Sequence, residues 1–254
     1  MVLTVRNGLL NLALGLLAVF VVGYASLLFV LVANEGWTAS VGRGNLLQLA
    51  LQTVVAPVGS LAAYWLARRA YRKSGAPEAF FFALFAASLS GESLLLIQGW
   101  LQAGSPAYFS ALLTRAIWAF RLTGLFLLFC ASLFAFDFTF RKYGNLVGIS
   151  VAAGILVASW LPLRSASRNY AVLLLSDGWG MALVAAVLGF VVVLNFVVGA
   201  IRSPSAERTA QAGAVGCFLA GWAAACLWSP WGIALVVLGA FLAFWKAEQT
   251  LLIV

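Results

Sequence analysis

The sequence predicts an all-α fold, a polytopic membrane helical bundle of eight transmembrane helices with both termini cytoplasmic. Three observations predict it. The chain is 64% hydrophobic and only 9% charged over 254 residues, whereas soluble domains carry about 25% charged residues. Its apolar residues come in repeated runs of about twenty, enough to cross a hydrocarbon core roughly 30 Å thick. The runs are continuous rather than alternating, which argues against a transmembrane barrel. Finally, the cations sit in short segments between runs, where positive charge sets membrane orientation. The net charge of +8 therefore reads as topology and not as nucleic-acid binding.

The first span, residues 8–33, is too long for the apolar stretch of a cleaved signal and reads as retained. The second, 46–66, contains Pro57 as an expected kink. The third and fourth cover 79–101 and 112–140, and the fifth covers 146–163. The sixth, 181–201, follows "NYAVLLLSDGWG" (169–180), which reads as a re-entrant or interfacial piece. The seventh and eighth, 210–228 and 231–253, are divided at Ser229-Pro230. A serine N-cap followed by proline in the first turn is a sound helix start. The same dipeptide occurs at Ser105-Pro106 and Ser203-Pro204.

Ten of the fifteen Lys and Arg residues fall on one side of this arrangement, so that side is expected to be cytoplasmic. The expected location is the cytoplasmic (inner) membrane of a prokaryote. The chain reads as one integral membrane domain, 1–254. Echoes between "RKSGAPEAF" (72–80) and "RSPSAERTA" (202–210) leave two explanations. Halves 1–142 and 143–254 form a 4+4 parallel repeat of the kind transporters use, or low-complexity sequence repeats itself by chance.

Glu92 stands in "LSGESLLLIQGW", an apolar run with no nearby cation in sequence. It lies about thirteen residues into the third span, or about 20 Å from the cytoplasmic end at 1.5 Å per residue. Arg121 precedes Arg141 by about twenty residues on the antiparallel fourth span, or about 30 Å from the same end. A glutamate and a guanidinium can jointly close that gap of about 10 Å. Ser88 shares the face of Glu92, and Trp118 shares that of Arg121. Three readings stand: an ion pair fixing helix register, a ligand or ion site, and a protonated, unpaired acid. The register pair leads, although an intramembrane acid always invites a functional reading.

Gln48, Gln52, Gln98 and Arg115 fall toward the outer ends of spans. They form either a polar vestibule or, as favoured here, ordinary interfacial positions. Gly213, Cys217, Gly221 and Ala225 make a small-residue stripe, which suggests that the seventh span packs most centrally. Arg68, Arg69, Arg72 and Lys73 form a cytoplasmic basic loop that signals topology and offers a surface to anionic lipid or an acidic protein partner.

The absences narrow the chemistry. The chain has no histidine, which removes Ser-His-Asp catalysis, zinc-protease signatures and haem ligation by His. No paired carboxylates have metal-ligand spacing, and no Walker loop occurs. Cys130, Cys217 and Cys226 lie in apolar runs, unlike a disulfide framework or zinc site. No catalytic residue, metal or cofactor is expected. The sequence thus predicts a non-catalytic, partner-dependent signal-transducing or assembly subunit embedded in the lipid bilayer. The alternative is a transporter or permease whose amphiphilic or ionic cargo is handled near Glu92 and Arg121.

Overall fold

A computed structural model of the chain describes residues 2–33, 43–95, 97, 107–135, 142–169, 172–175, 178–202, 206–226 and 238. Among them are seven α-helices: α1 (Val2–Ala33), α2 (Arg43–Ser74), α3 (Pro77–Ser88), α4 (Ala107–Ala135), α5 (Tyr143–Ser159), α6 (Gly178–Arg202) and α7 (Ala206–Cys226). A 3-10 turn, Leu89–Ser93, continues directly from α3. Two short strands, β1 (Leu163–Asn169) and β2 (Val172–Leu175), separate α5 from α6.

The molecule is a helical bundle, as expected, with one short two-stranded hairpin between α5 and α6. Leu163–Asn169, which begins where the expected fifth span ends, pairs antiparallel with Val172–Leu175, which falls within the piece expected to be re-entrant or interfacial; Arg168 lies opposite Leu173 and Asn169 opposite Val172. The physical reason lies just upstream. Trp160 and Leu161 close the end of α5 with bonds to the carbonyls of Val157 and Ala158, and Pro162 cannot continue a helix. The polar, β-tolerant stretch after it extends instead.

Among the described residues, three helical segments are long and apolar enough to cross a membrane: Thr4–Ser26, Tyr108–Ala135 and Leu183–Arg202. Tyr143–Ser159 and Gln211–Ala220 are shorter apolar helices. The expected eighth span, 231–253, lies outside the described residues apart from residue 238. The outer faces of α1, α5 and α6 carry exposed Leu12, Val19, Ile149, Ile155, Leu183 and Phe190. Apolar side chains on both faces of a helix suit a hydrocarbon surrounding better than water.

The basic segment is helical. α2 runs on through Arg68, Arg69 and Arg72 to Ser74, which corrects the expectation of a basic loop. Lys, Arg and Ala are good helix formers, so nothing stops the helix before Gly75. There Gly75 takes φ +66° and its N–H bonds the Tyr71 carbonyl at 2.8 Å, an αL cap that glycine reaches without strain. Pro77 then opens α3, with Glu78 in its first turn, where both are favoured.

The core centres on α3 and α4 rather than on α7. Every residue from Ala79 to Ala86 is buried, so "AFFFALFA" is a helix surrounded on all sides. Phe81 stacks on Phe134 of α4, and Phe82 on Phe196 of α6. On α7 the packed face is Ala214, Val215, Phe218 and Trp222. Gly213 is exposed, with nothing within 4 Å of a Cβ built there. Cys217 is half-buried, and the side-chain surroundings of Gly221 and Ala225 are not described.

Small residues do allow close approach, but at other positions. A Cβ on Gly154 of α5 would meet Thr123 of α4, and one on Gly199 of α6 would meet the Ala135 carbonyl of α4. α4 and α5 are antiparallel, since Thr123 meets Gly154, Cys130 meets Ser150, and Phe134 meets Tyr143. α4 is therefore the element that its neighbours approach most closely.

Gly154→Val should lower stability by about 1–3 kcal/mol through overpacking against α4. Gly213→Ala should change it by less than about 0.5 kcal/mol. Thermal unfolding of the detergent-solubilised chain compares the two.

Candidate functional site

The site begins with a run of serines. Ser88, Ser90 and Ser93 each donate their hydroxyl to the carbonyl three residues earlier, on Phe85, Ala87 and Ser90 respectively, at 2.7 Å. Side-chain bonding of this kind competes with the regular helical ladder, and Leu89–Ser93 tightens into a 3-10 turn. Such a turn within a helical segment often marks a hinge or a functional position. Its five residues are all buried.

Two glycines bring this turn onto α4. A Cβ at Gly91 would overlap the Phe120 ring, and one at Gly124 would overlap the Ser88 hydroxyl. With both absent, the turn lies directly against α4 and delivers Glu92 to Arg121. Arg121 Nε donates to Glu92 Oε1 at 2.5 Å, and Nη2 donates to Oε2 at 2.8 Å. Glu92 is 4% exposed and Arg121 is 3% exposed. This two-pronged arrangement is the strongest geometry open to a carboxylate and a guanidinium.

Aromatic groups complete the surroundings. The Trp118 ring lies 5.2 Å from the Arg121 guanidinium carbon, within the range of cation–π attraction. Trp222 of α7 donates its indole N–H to the Arg121 backbone carbonyl at 3.0 Å. The ion pair thus ties the 3-10 turn to α4, and the indole ties α4 to α7. Sequence order gives no hint of the Trp222 contact.

Trp118 adjoins the pair, whereas Ser88 packs against Gly124 and its hydroxyl goes to its own helix and not to Glu92. Gln98 lies outside the described residues, as do the side chains of Gln48 and Gln52. Of the expected vestibule group, only Arg115 can be placed: it is exposed and lines a groove between α1, α3, α4 and α5.

The basic residues divide. Arg68 donates to Asn11 of α1 at 2.7 Å, beside the Tyr64 hydroxyl bonded to the Leu10 carbonyl. Arg69 lies over the Trp65 ring at 5.4 Å, and Arg72 is exposed. The side chain of Lys73 is not described.

Sequence reasoning missed a second cation site. Arg6 lies between the rings of Tyr71 and Tyr143, at 5.6 and 5.1 Å, and Tyr143 in turn packs on Phe80, Phe81 and Phe134. Burial pushes the Tyr71 phenol pKa up; Arg6 pulls it down, and Tyr143 adds a smaller rise. A lone cation beginning an apolar helix was the available signal, but its aromatic partners come from distant segments. Asn195 of α6 donates to the Ser132 hydroxyl of α4 at 3.0 Å, a further polar tie onto the same helix.

Among the described residues, no cluster of three His, Cys, Asp or Glu side chains comes together. Both Glu92 oxygens face the guanidinium, and the neighbouring serine hydroxyls are held by backbone carbonyls. The arrangement can hold two helical elements in register. It offers no nucleophile with an adjacent base. Comparison with family models, curated proteins and solved structures finds no match to this chain.

Glu92→Gln and Arg121→Gln should each destabilise the chain by about 3–5 kcal/mol, because each leaves a buried partner uncompensated. The double variant should lose less than the sum of the two. Chemical or thermal unfolding in detergent reads the cycle, and strict additivity would show that the groups do not interact.

Proposed function

We propose that this chain is an eight-span membrane protein of a prokaryotic inner membrane, with both termini cytoplasmic, and a non-catalytic, partner-dependent signal-transducing or assembly subunit. The single observation that carries this reading is the closure of the Glu92–Arg121 pair. An acid committed to two guanidinium bonds inside a packed bundle supports a mechanical role better than proton or ion handling. The exposed Arg72 and the ring-supported Arg69 give the cytoplasmic end of α2 a basic surface suited to an acidic partner.

The second reading is a transporter or permease for an amphiphilic cargo. What favours it is that Ser88 and Phe120, which pack against Gly124 and Gly91, also line a lateral groove.

One experiment separates the two. Affinity purification from native membranes should recover a stoichiometric protein partner, and neutralising Arg69, Arg72 and Lys73 to Gln should release it while the chain stays folded. Arg68 is left intact because it holds α1 through Asn11. If the purified chain alone carries substrate flux in vesicles, and Glu92→Gln abolishes that flux without unfolding it, the subunit reading is wrong.

A further inference from the structure

α1, α4 and α5 diverge over α3 to leave a groove of about 680 Å³. Along α4 it runs from Leu112 and Arg115 to Leu127. The stretch from Arg115 to Leu127 is twelve residues, or about 18 Å of helix. Its walls are almost wholly aliphatic, with Leu9, Leu16, Leu112, Val151 and Ile155 among them. Long, narrow and apolar, it has the shape of a hydrocarbon chain rather than of a compact polar ligand.

The charge lies at one end. Among the described residues lining the groove, Arg115 is the only charged one. It is exposed, and no hydrogen bond or ion pair joins it to another described residue. Because α4 and α5 are antiparallel, Arg115 stands close to the level of Trp160, which is 81% exposed, at the end of α5. Tyr108, 73% exposed, lies about 10 Å beyond it toward the start of α4. Exposed Trp and Tyr favour the headgroup level of a bilayer. The groove therefore descends from a cation near that level into the depth of the hydrocarbon.

Other polar groups in the wall offer a ligand less. Ser88 and Ser159 donate to their own helix carbonyls at Phe85 and Leu156, and the Thr123 hydroxyl sits against Gly154. Among the described residues, the Arg115 end is the one that can meet a charged group.

We propose that this groove is a lipid-binding site: one acyl chain of an anionic phospholipid lies between α1, α4 and α5, and its phosphate is held by Arg115. This rests on the membrane residence proposed above but not on the partner-dependent role, and it requires no movement of the Glu92–Arg121 pair. The site is also separate from the basic end of α2.

Native mass spectrometry of the full chain, with phosphatidylglycerol or phosphatidylcholine titrated into the detergent, tests it. The wild-type chain should retain one phosphatidylglycerol in preference to phosphatidylcholine. Arg115→Gln, an exposed change that spares the core, should cut that preference about five-fold, the equivalent of about 1 kcal/mol for one basic contact. Ala116→Phe should fill the groove and reduce retention of both lipids, with its unfolding temperature measured in parallel. Arg69→Gln, at the separate basic end of α2, should leave the Arg115-dependent preference in place.

Unchanged retention in Arg115→Gln would overturn the proposal whatever becomes of Ala116→Phe. So would a preference lost in Arg69→Gln but kept in Arg115→Gln, which would move the headgroup to the α2 end. A photo-reactive residue at Leu112 supplies a further check: capture of lipid supports the assignment. Capture of residues 231–253 of this chain, or of a second copy, overturns it. None of these results bears on partner recovery from native membranes, so the two proposals fail separately.

Discussion

The bundle depends on one constraint: an acid and a base held out of contact with water must meet. Taking either charge alone out of water costs several kcal/mol, and a two-pronged contact in a low-dielectric interior offsets that only when the geometry is good. Here the geometry places strict demands on the chain. The helix carrying Glu92 must tighten, its glycine must lie against a phenyl ring, and the facing helix must present a glycine to a serine. Gly91, Phe120, Ser88 and Gly124 meet those demands together. A pair of this kind is weak evidence for stability, since apolar residues of similar volume often do as well. Its value lies in register, because one displaced turn would leave both charges buried and unsatisfied.

That register spreads outward because α4 is the common neighbour. The 3-10 turn, α5 and α6 each bring a glycine against it. α7 reaches it through the Trp222 indole, and α6 also through Asn195. Where apolar surroundings weaken the hydrophobic drive between helices, close backbone approach and a few interhelical hydrogen bonds are what remain to specify packing. The groove beside α4 adjoins these contacts: Thr123, which meets Gly154 of α5, and the buried Leu127 line it, and Arg115 lines it as well.

The helical architecture was legible in the apolar runs, and the meeting of Glu92 with Arg121 followed from little more than the rise per residue and the antiparallel order of two helices. Helix ends were less legible. The expected boundary of the second span at residue 66 was eight residues short of Ser74, because a fall in hydropathy marks a change of surroundings and not the end of a helix. The 3-10 turn was written in "SLSGES", but a count of apolar residues does not register serines that bond backward to their own backbone. The second strand, Val172–Leu175, was hidden for the opposite reason, since its Leu and Val content resembles a membrane segment. The stripe on α7 shows a further limit. Four-residue spacing of small side chains identifies a smooth face without saying whether anything covers it, and the described packing falls on the face beside it. Contacts such as Arg6 with Tyr71 and Tyr143 join segments far apart in sequence and leave no local trace.

The most direct test of the central claim is the distance between the two charged groups in a lipid bilayer. Solid-state NMR dipolar recoupling between nitrogen-labelled arginine and carboxyl-labelled glutamate, with Arg121→Lys as the assignment control, measures it. The account predicts a separation within about 4 Å, as hydrogen-bonded nitrogen and oxygen require, and loss of that signal in the control. A wild-type spectrum with no such short-range coupling, from protein shown to be folded in the same sample, would contradict it.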